Sequence, residues 1–258
     1  MKRTLLCFIL PFIFFAKLDA GKKTTPEVIP GYLFLTIPKS GSHAVGKIFQ
    51  LFVEMGHHLP QHLGGHLYHP KNGIYPQIKP YAGCTKKLIL IRDFRDILVS
   101  AVFWFDKTLS ENYMWKSIPT FDQKLMALID GSLPEGTLNF LSANLKNLEM
   151  FTDPTSVHYS EYHIIKFENV IGEKGGGDSE AQAIEINNIA EFLGLHLTGN
   201  EIEYVAENLF GLREVDKVGV QTFRSGQIGD WKKYFKPHHI RAFNKKFGRE
   251  MKRWGYAD

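Results

Sequence analysis

Short runs of consecutive apolar residues alternate along the chain with segments in which apolar residues recur every three or four positions. The runs over 32–37, 87–91 and 163–167 are rich in aliphatic and β-branched residues, as is typical of strands buried on both faces of a sheet. Each run is followed by a segment of helical periodicity, which predicts parallel strands connected by helices. We therefore predict an α/β fold, a three-layer αβα domain with a mainly parallel central sheet.

The remaining helices are predicted from periodicity and from residues that start or stop a helix. One covers 180–194 and ends at a glycine suited to a C-terminal cap. Others cover 200–210 and 237–253, the last opened by Pro237. The apolar face of the helix over 180–194 is predicted to contain Ile184, Ile189, Ala190, Phe192 and Leu193.

Two segments rich in Gly, His or Pro are predicted as loops. The first, 57–83, contains at most one short strand near His66–Tyr68. The second, 172–177, has the sequence GEKGGG and is predicted to be flexible and exposed.

The N-terminal residues differ in character from the rest of the chain. Lys2 and Arg3 precede an apolar run over 5–16, and Ala20 follows it closely. A basic start, a short apolar core and a small exit residue are typical of a secretory signal peptide, and a spanning helix would need about 20 apolar residues. We predict a signal peptide over 1–20, a polar lead-in over 21–30 and a single domain over 31–258. The mature protein would have no stable membrane span and would reside in the secretory pathway, as a lumenal, periplasmic or secreted protein.

Composition narrows the classes of partner. The 258 residues include 31 basic and 27 acidic ones, a net charge of +4, which is too balanced to favour nucleic acid but suits an anionic cofactor. Cys7 lies in the signal, which leaves only Cys84, so neither an intrachain disulfide nor a cysteine-based metal site is predicted. Histidines are frequent over 57–69, yet their spacing matches no zinc motif, and we predict no metal. The oligomeric state stays open.

A polar turn, Pro38 to His43, separates the first strand from the first helix. This arrangement directs backbone N–H groups and a helix N-terminus towards an anion, and Lys39 adds a positive charge. In the kinase and ATPase loop a lysine directly follows the last glycine, whereas Lys39 precedes Gly41 by two residues. The turn predicts a site for a phosphate or a similar group, with an ordinary strand-to-helix turn as the alternative.

Three segments together resemble motifs of the sulfotransferases that use 3′-phosphoadenosine 5′-phosphosulfate (PAPS). Residues 36–42, Thr-x-Pro-Lys-Ser-Gly-Ser, resemble the 5′-phosphosulfate loop of that family. Residues 90–100, LIRDFRDILVS, resemble its 3′-phosphate motif, and residues 223–235, FRSGQIGDWKKYF, resemble the segment that closes over the nucleotide. The resemblance implies a P-loop nucleoside-triphosphate-hydrolase-like sulfotransferase fold. It also implies transfer of a sulfuryl group from PAPS to a hydroxyl or amine acceptor.

The resemblance implies roles for individual residues. Lys39 would bind the bridging and sulfuryl oxygens and stabilise the leaving phosphate. The residues that would cradle the 5′-phosphosulfate are Ser40, Gly41, Ser42 and His43. The residues that would bind the 3′-phosphate are Arg92, Ser100, Arg224, Ser225 and Gly226. Phe167 falls where the family often has a tyrosine near the nucleotide base. The charged neighbours of Arg92, by contrast, are predicted to form structural ion pairs: Asp93, Arg95 and Asp96.

The general base is the least determined part of the predicted site. The family uses a histidine in a T-H-L-P segment, and the nearest likeness here is GHLYHP over 65–70. His66 is therefore preferred over His69. Glu54 is a further alternative, because some carbohydrate sulfotransferases use a glutamate. A sulfuryl group carries less charge than a phosphoryl group, which implies that no Mg²⁺ is needed.

Two other functional classes stay open at this point. One is a P-loop kinase-like phosphotransferase, in which Asp93 would hold the metal. The other is a non-catalytic secreted protein that only binds a nucleotide. No segment identifies the acceptor among small molecules, lipids, carbohydrates and protein hydroxyl groups.

Overall fold

The structure is a computed structural model, and it describes residues 30–67, 74, 77–83, 85–110, 112–133, 136–137, 139–211 and 224–256. The predicted signal peptide and nearly all of the polar lead-in lie outside these residues, so both stay predictions. Among the helices of the described ranges, none combines the length and the apolar character that crossing a bilayer requires.

A parallel sheet forms the middle layer. Its strands are β1 (Tyr32–Thr36), β2 (His62–His66), β3 (Lys87–Ile91) and β6 (Tyr162–Lys166), in the spatial order β2–β1–β3–β6. Every pairing in this sheet is parallel, so the carboxyl ends of the strands share one edge. A separate antiparallel pair is formed by β4 (Ser132–Leu133) and β5 (Gly136–Thr137). The prediction of an αβα domain with a mainly parallel sheet is confirmed.

Helices cover both faces of the sheet. They are α1 (Ser42–Glu54), α2 (Phe94–Thr108), α3 (Tyr113–Lys116), α4 (Phe121–Asp130), α5 (Phe140–Thr152), α6 (Phe167–Val170), α7 (Ser179–Phe192), α8 (Gly199–Leu209) and α9 (Pro237–Arg253). In β3, Ile89 and Ile91 pack with α2, α4, α5 and α9, while Leu88 and Leu90 pack with α1, α7 and α8. Because successive strand residues point to opposite faces, a fully apolar strand supplies both cores at once.

Several boundaries differ from the sequence predictions. The short strand predicted near His66–Tyr68 lies earlier, at His62–His66, and the third predicted strand ends at Lys166, because Phe167 begins α6. Ile184 was wrongly placed on the apolar face of α7, since its side chain is 54% exposed. The buried positions of that helix and its end keep a spacing of three and four residues without it: Ile186, Ile189, Ala190 and Leu193.

The GEKGGG loop is only partly exposed, because Gly172 and Gly175 are buried while Glu173, Lys174 and Gly176 are exposed. It contains a short 3₁₀ turn, Glu173–Gly175, and Gly175 is buried. A Cβ at Gly175 would come within 2.8 Å of the Gly226 carbonyl oxygen, and the Gly175 carbonyl accepts a hydrogen bond from the Ile228 N–H at 2.9 Å. Glycine serves here to allow the close approach of two backbones.

Candidate functional site

The residues predicted for the site converge at the carboxyl edge of the sheet. Lys39 follows β1, His66 ends β2, Arg92 follows β3 and Phe167 follows β6. Ligands of open parallel sheets bind in the crevice at this edge.

The turn between β1 and α1 is tight and partly left-handed. Lys39 has a φ of 73° and Gly41 a φ of 101°. The buried Ser40 holds the turn, because its Oγ donates to the Ile37 carbonyl at 2.6 Å and its N–H donates to the same oxygen at 3.1 Å. A side chain in the left-handed region costs about 1–2 kcal/mol, and such outliers cluster at ligand-binding sites.

The first turn of α1 has no side-chain cap, because Gly41 occupies the N-cap position. Ser42 is the first helical residue, so its backbone N–H is among those that a helix leaves without an intrahelical partner. This geometry suits an anion at the end of β1.

Phe167 links the turn to Arg92. A Cβ on Gly41 would lie 2.4 Å from the Phe167 ring, and the Arg92 guanidinium lies 4.3 Å from the centre of that ring. The Phe167 side chain is 3% exposed. The ring therefore supports the guanidinium and fixes its distance from the anion-binding turn.

Arg92 and Arg224 each bury a guanidinium N–H donor, and no acceptor for it lies among the residues that the structure describes. Arg92 donates through Nη2 to the Gln227 carbonyl at 2.7 Å and lies 3.3 Å from Asp96. Arg224 pairs with Asp230 at 2.5 Å. Among the described residues, neither Nε group has a hydrogen-bond partner, although both are buried. Because a buried donor without an acceptor is costly, both groups suit the oxygens of a bound anion such as a phosphate.

Asp96 joins the segment after β3 to the segment around residue 230. Its two carboxylate oxygens accept hydrogen bonds from the backbone N–H groups of Gly229 at 2.9 Å and Trp231 at 2.8 Å. Burial raises the pKa of Asp96, against the opposing effects of Arg92 and these two N–H groups. Two of the predicted 3′-phosphate segments are thus held together by one buried carboxylate.

The predicted ion pair of Asp93 with Arg95 is confirmed. Arg95 Nη2 lies 2.8 Å from the Asp93 carboxylate, which also accepts the Arg95 N–H at the start of α2. The Arg95 guanidinium lies 3.9 Å from the centre of the Trp231 ring. Asp93 is therefore occupied as a helix cap and an ion-pair partner.

Lys39 lies in a strongly positive environment. Its Nζ lies 4.2 Å from the centre of the Trp104 ring. Burial, together with the positive charges of Lys107, Arg224 and Arg92, lowers the pKa of Lys39 to about 8. An anion bound among these groups would offset their mutual repulsion.

His66 is held neutral beside Lys39. It pairs in register with Thr36 of β1, and its Nδ1 lies 2.8 Å from Thr36 Oγ1. Burial is the main cause that lowers the pKa of His66 to about 4, and the charges of Lys39 and His43 add to it. In the tautomer that donates from Nδ1 to Thr36, Nε2 is an acceptor for a proton. His69 lies outside the described residues.

Glu54 does not reach the site, which corrects the alternative assignment of a glutamate base. It is an exposed residue at the last position of α1 and accepts a hydrogen bond from Gln50 at 2.7 Å. The helix separates it from Ser42 by about 18 Å at 1.5 Å per residue. Helical periodicity alone had not shown that Glu54 lies at the far end.

The other predicted ligands lie on the same two segments. Ser100 is buried on α2, two turns beyond Arg92. Ser225 Oγ accepts the Gln227 N–H at 3.4 Å, and Gly226 has a φ of 63° next to the packed GEKGGG loop. Trp104 and Lys107 had not been singled out, although their spacing from Ser100 on one helix was a usable signal.

One cluster of potential metal ligands lies elsewhere in the described residues, between α4 and α9. Asp122, His238 and His239 each offer a ligand atom within 4.8 Å of the others. Both nitrogens of His239 are already used, by the Lys236 N–H at 3.1 Å and by the Asp122 carbonyl at 3.0 Å. Lys236 Nζ also lies 2.7 Å from the Asp122 carboxylate. The cluster is a hydrogen-bonded network at the start of α9.

The fold and the site define a parallel αβα domain with groups suited to an anion at the carboxyl edge of its sheet. Comparison with known proteins shows what the chain is similar to. Residues 179–255 match the sulfotransferase domain family. Sulfotransferase 2A1 of Mus musculus is 26% identical over 188 residues, which cover 66% of this chain and 58% of that protein. The match thus spans less than two thirds of the relative's length.

Solved structures show the same fold. A crystal structure of mouse sulfotransferase SULT7A1 complexed with PAP has a TM-score of 0.60 at 17% identity, over 86% of this chain and 84% of that chain. Retinol dehydratase in complex with androsterone and inactive cofactor PAP has a TM-score of 0.57 at 14% identity, over 87% of this chain and 82% of that chain. These findings confirm the resemblance to the sulfotransferase family that the motifs predicted.

Proposed function

We propose that the protein is a PAPS-dependent sulfotransferase that transfers a sulfuryl group to a hydroxyl or amine acceptor. The observation that carries the proposal is the convergence of Lys39 with two arginines whose buried Nε groups have no acceptor within the described part of the chain. A ligand with one phosphate near Lys39 and a second near Arg92 and Arg224 would complete this arrangement. The PAP named in the two similar crystal structures carries phosphates at two positions.

The proposed nucleotide contacts follow from the two anion sites. Arg92 and Arg224 would bind the 3′-phosphate, together with Ser100, Ser225 and Gly226. The turn from Ser40 to His43 would bind the 5′-phosphosulfate through backbone N–H groups and hydroxyls. Phe167 would lie close to the nucleotide base, since its ring already supports Arg92.

The proposed reaction is an in-line displacement at sulfur. His66 Nε2 takes the proton of the acceptor hydroxyl, whose oxygen forms a bond to sulfur. The bond between sulfur and the bridging oxygen breaks, and its electron pair stays with the phosphate of the leaving PAP. Lys39 stabilises the charge that develops on that bridging oxygen. His69 is the alternative base. The acceptor is a small molecule, a lipid, a carbohydrate or a protein hydroxyl group.

The predicted signal peptide places the proposed reaction in the secretory pathway. Two features support this location, namely the basic start of the chain and the short apolar run that follows it. PAPS would then have to be supplied to the same compartment.

The test is a transfer assay with labelled PAPS across phenolic, carbohydrate, lipid and protein-tyrosine acceptors. Lys39→Ala is expected to lower transfer by about 10²–10³-fold, because it removes the charge that stabilises the leaving group. Lys245→Ala, on the exposed face of α9, is the matched control. Near-normal transfer by Lys39→Ala would refute the assignment. Tight PAP binding without any transfer would favour the non-catalytic alternative, and Mg²⁺-dependent ATP turnover that PAPS does not affect would favour the kinase-like one.

A further inference from the structure

One face of α2 runs along the site and extends past it. Ser100, Trp104 and Lys107 are separated by four and three residues, so their side chains share a helix face. Trp104, in the middle of this row, shows that the face is turned towards Lys39, because Lys39 Nζ lies 4.2 Å from the centre of its ring. The next residue of the row, Lys107, therefore lies beside Lys39.

Lys107 brings a charge that the described residues do not neutralise. It is exposed, and no carboxylate of the described ranges forms an ion pair with it. Its neighbour Asp106 is already bound by Lys124 at 2.6 Å and by Trp115 Nε1 at 2.8 Å. Of the positive charges that act on Lys39, that of Lys107 has the largest effect, ahead of Arg224 and Arg92.

The position of Lys107 separates it from the groups assigned to the nucleotide. Arg92 and Arg224 have the carboxylates of Asp96 and Asp230 beside them. Lys107 lies about 10 Å farther along the helix axis than Ser100, at 1.5 Å per residue. The row on α2 thus leads from the proposed 3′-phosphate site, past Lys39, to a lysine on the opposite side.

We propose that Lys107 is a specificity-determining residue that selects acceptors with an anionic group, a carboxylate, sulfate or phosphate, near the reacting hydroxyl. The inference rests on the proposed sulfuryl transfer and adds the class of acceptor to it. The reacting hydroxyl lies at His66 and Lys39, and the acidic group of the same molecule meets the Lys107 ammonium. The sulfuryl group of PAPS is also an anion that Lys107 could bind. The test therefore has to distinguish an effect of Lys107 on the acceptor from an effect on the nucleotide.

The experiment compares matched acceptors that differ only in charge. Suitable pairs are para-hydroxyphenylacetate with its methyl ester and a glucuronic acid glycoside with its methyl ester, and the same comparison is made for the best acceptor of the screen. The wild-type protein is expected to prefer the acid by about fivefold in kcat/KM, the upper range for an exposed charge pair. Lys107→Gln should bring the ratio close to one, and Lys107→Glu should invert it. Lys245→Gln, which removes an equal charge from α9, should leave the ratio unchanged.

The outcomes distinguish this inference from the proposed function. Absence of transfer to every acceptor would refute the proposed function itself. Transfer with equal preference for acid and ester would overturn the role of Lys107 alone. A Lys107→Gln variant that weakens PAP binding, or slows both members of a pair equally, would assign Lys107 to the nucleotide and overturn the proposal as well. The preference for the acid should also weaken at high ionic strength, because salt screens exposed charges.

Discussion

The carboxylate of Asp96 accepts a hydrogen bond at 2.8 Å from the backbone N–H of Trp231, a residue 135 positions later in the chain. The same carboxylate accepts the Gly229 N–H at 2.9 Å and lies 3.3 Å from Arg92. One buried side chain therefore sets the distance between Arg92 and the segment that carries Arg224.

Asp96→Asn is expected to disrupt this junction. An amide offers one oxygen and a donor group, so it cannot accept both N–H groups and face Arg92 as well. We expect a loss of about 1–3 kcal/mol in the free energy of unfolding, since a buried donor loses its acceptor. The affinity for PAP should fall as well. Urea unfolding and calorimetric titration with PAP measure the two effects. Asp130→Asn, at the exposed end of α4, is the control, and equal behaviour of both variants would contradict the role of Asp96.

Gly41→Ala is expected to be more harmful than Gly56→Ala. Both glycines are left-handed, with φ of 101° and 92°. A Cβ at Gly41 would lie 2.4 Å from the Phe167 ring, whereas a Cβ at Gly56 would have no atom within 4 Å. Both variants should lose about 1–2 kcal/mol through backbone strain, and Gly41→Ala should lose roughly 1–3 kcal/mol more through crowding.

Thermal unfolding and PAP titration measure this difference. A second substitution, Phe167→Leu, should restore part of the stability lost in Gly41→Ala, because it removes ring atoms close to the added methyl group. Equal losses at Gly41 and Gly56 would show that strain alone is responsible.

Arg92→Lys and Arg224→Lys are expected to reduce the preference for PAP over adenosine 5′-monophosphate. Lysine keeps the charge but has neither the Nε donor nor the planar fork that suits a phosphate. We expect the preference to fall roughly 10-fold or more for each variant, the value of a hydrogen bond to a charged group. Competition binding of the two nucleotides measures the preference. Arg249→Lys, exposed on α9, is the control. An unchanged preference in both site variants would remove Arg92 and Arg224 from the 3′-phosphate site.

The affinity for PAP is expected to fall as the pH rises through about 8, the lowered pKa of Lys39. Bound PAP stabilises the charged ammonium form of Lys39, so binding raises the pKa of Lys39. Binding therefore takes up a proton when the pH is near or above the pKa of about 8 of the free protein. Calorimetry in buffers of different ionisation enthalpy measures this uptake. Lys39→Arg should bind without it, because arginine stays charged. Equal proton uptake by the Lys39→Arg variant would assign the effect to another group.

The acid limb of kcat/KM is expected near the pKa of about 4 of His66, well below the ordinary histidine value of 6.5. The base must be neutral, and burial keeps it neutral down to that pH. The acid limb of the pH profile of kcat should lie at higher pH than that of kcat/KM, because the negative charge of bound nucleotide favours the imidazolium form of His66. His66→Ala should lower kcat by about 10²–10⁴-fold and keep its affinity for PAP.

His62 provides the control for this profile. It lies on the same strand and stacks on Tyr32 at 4.9 Å. His62→Ala should lower stability and leave the pH profile unchanged. If His66→Ala keeps the full rate, the base is another residue.

The parts of the site that follow strand ends could be predicted from the sequence. Lys39 and Arg92 come within two residues after a predicted strand, and Phe167 is the last residue of one. The carboxyl ends of parallel strands meet at one edge, so these residues had to converge once the sheet was correct. His66 was predicted from a family likeness, and its pairing with Thr36 is visible only in the structure.

The parts that depend on distant backbone groups could not be predicted. Asp96 was expected to form an ion pair, and it does lie 3.3 Å from Arg92. Its hydrogen bonds with the N–H groups of Gly229 and Trp231 were not predicted. The burial of Gly175 in the GEKGGG loop was not predicted for a related reason. Glycine allows both flexibility and the close approach of two backbones, and the residues of one segment do not tell which use applies.

The hydrogen bonds that Asp96 accepts from residues near 230 also affect how the protein folds during synthesis on the ribosome. At about 5–20 residues per second, synthesis takes roughly 7–27 s to travel from Asp96 to Trp231. During that interval a nascent chain already contains β1, β2 and β3 and gains β6 about halfway, yet it lacks the segment that completes the proposed 3′-phosphate site. Cellular nucleotide can therefore protect the finished fold, while the half-made chain must rely on its own apolar core or on a chaperone.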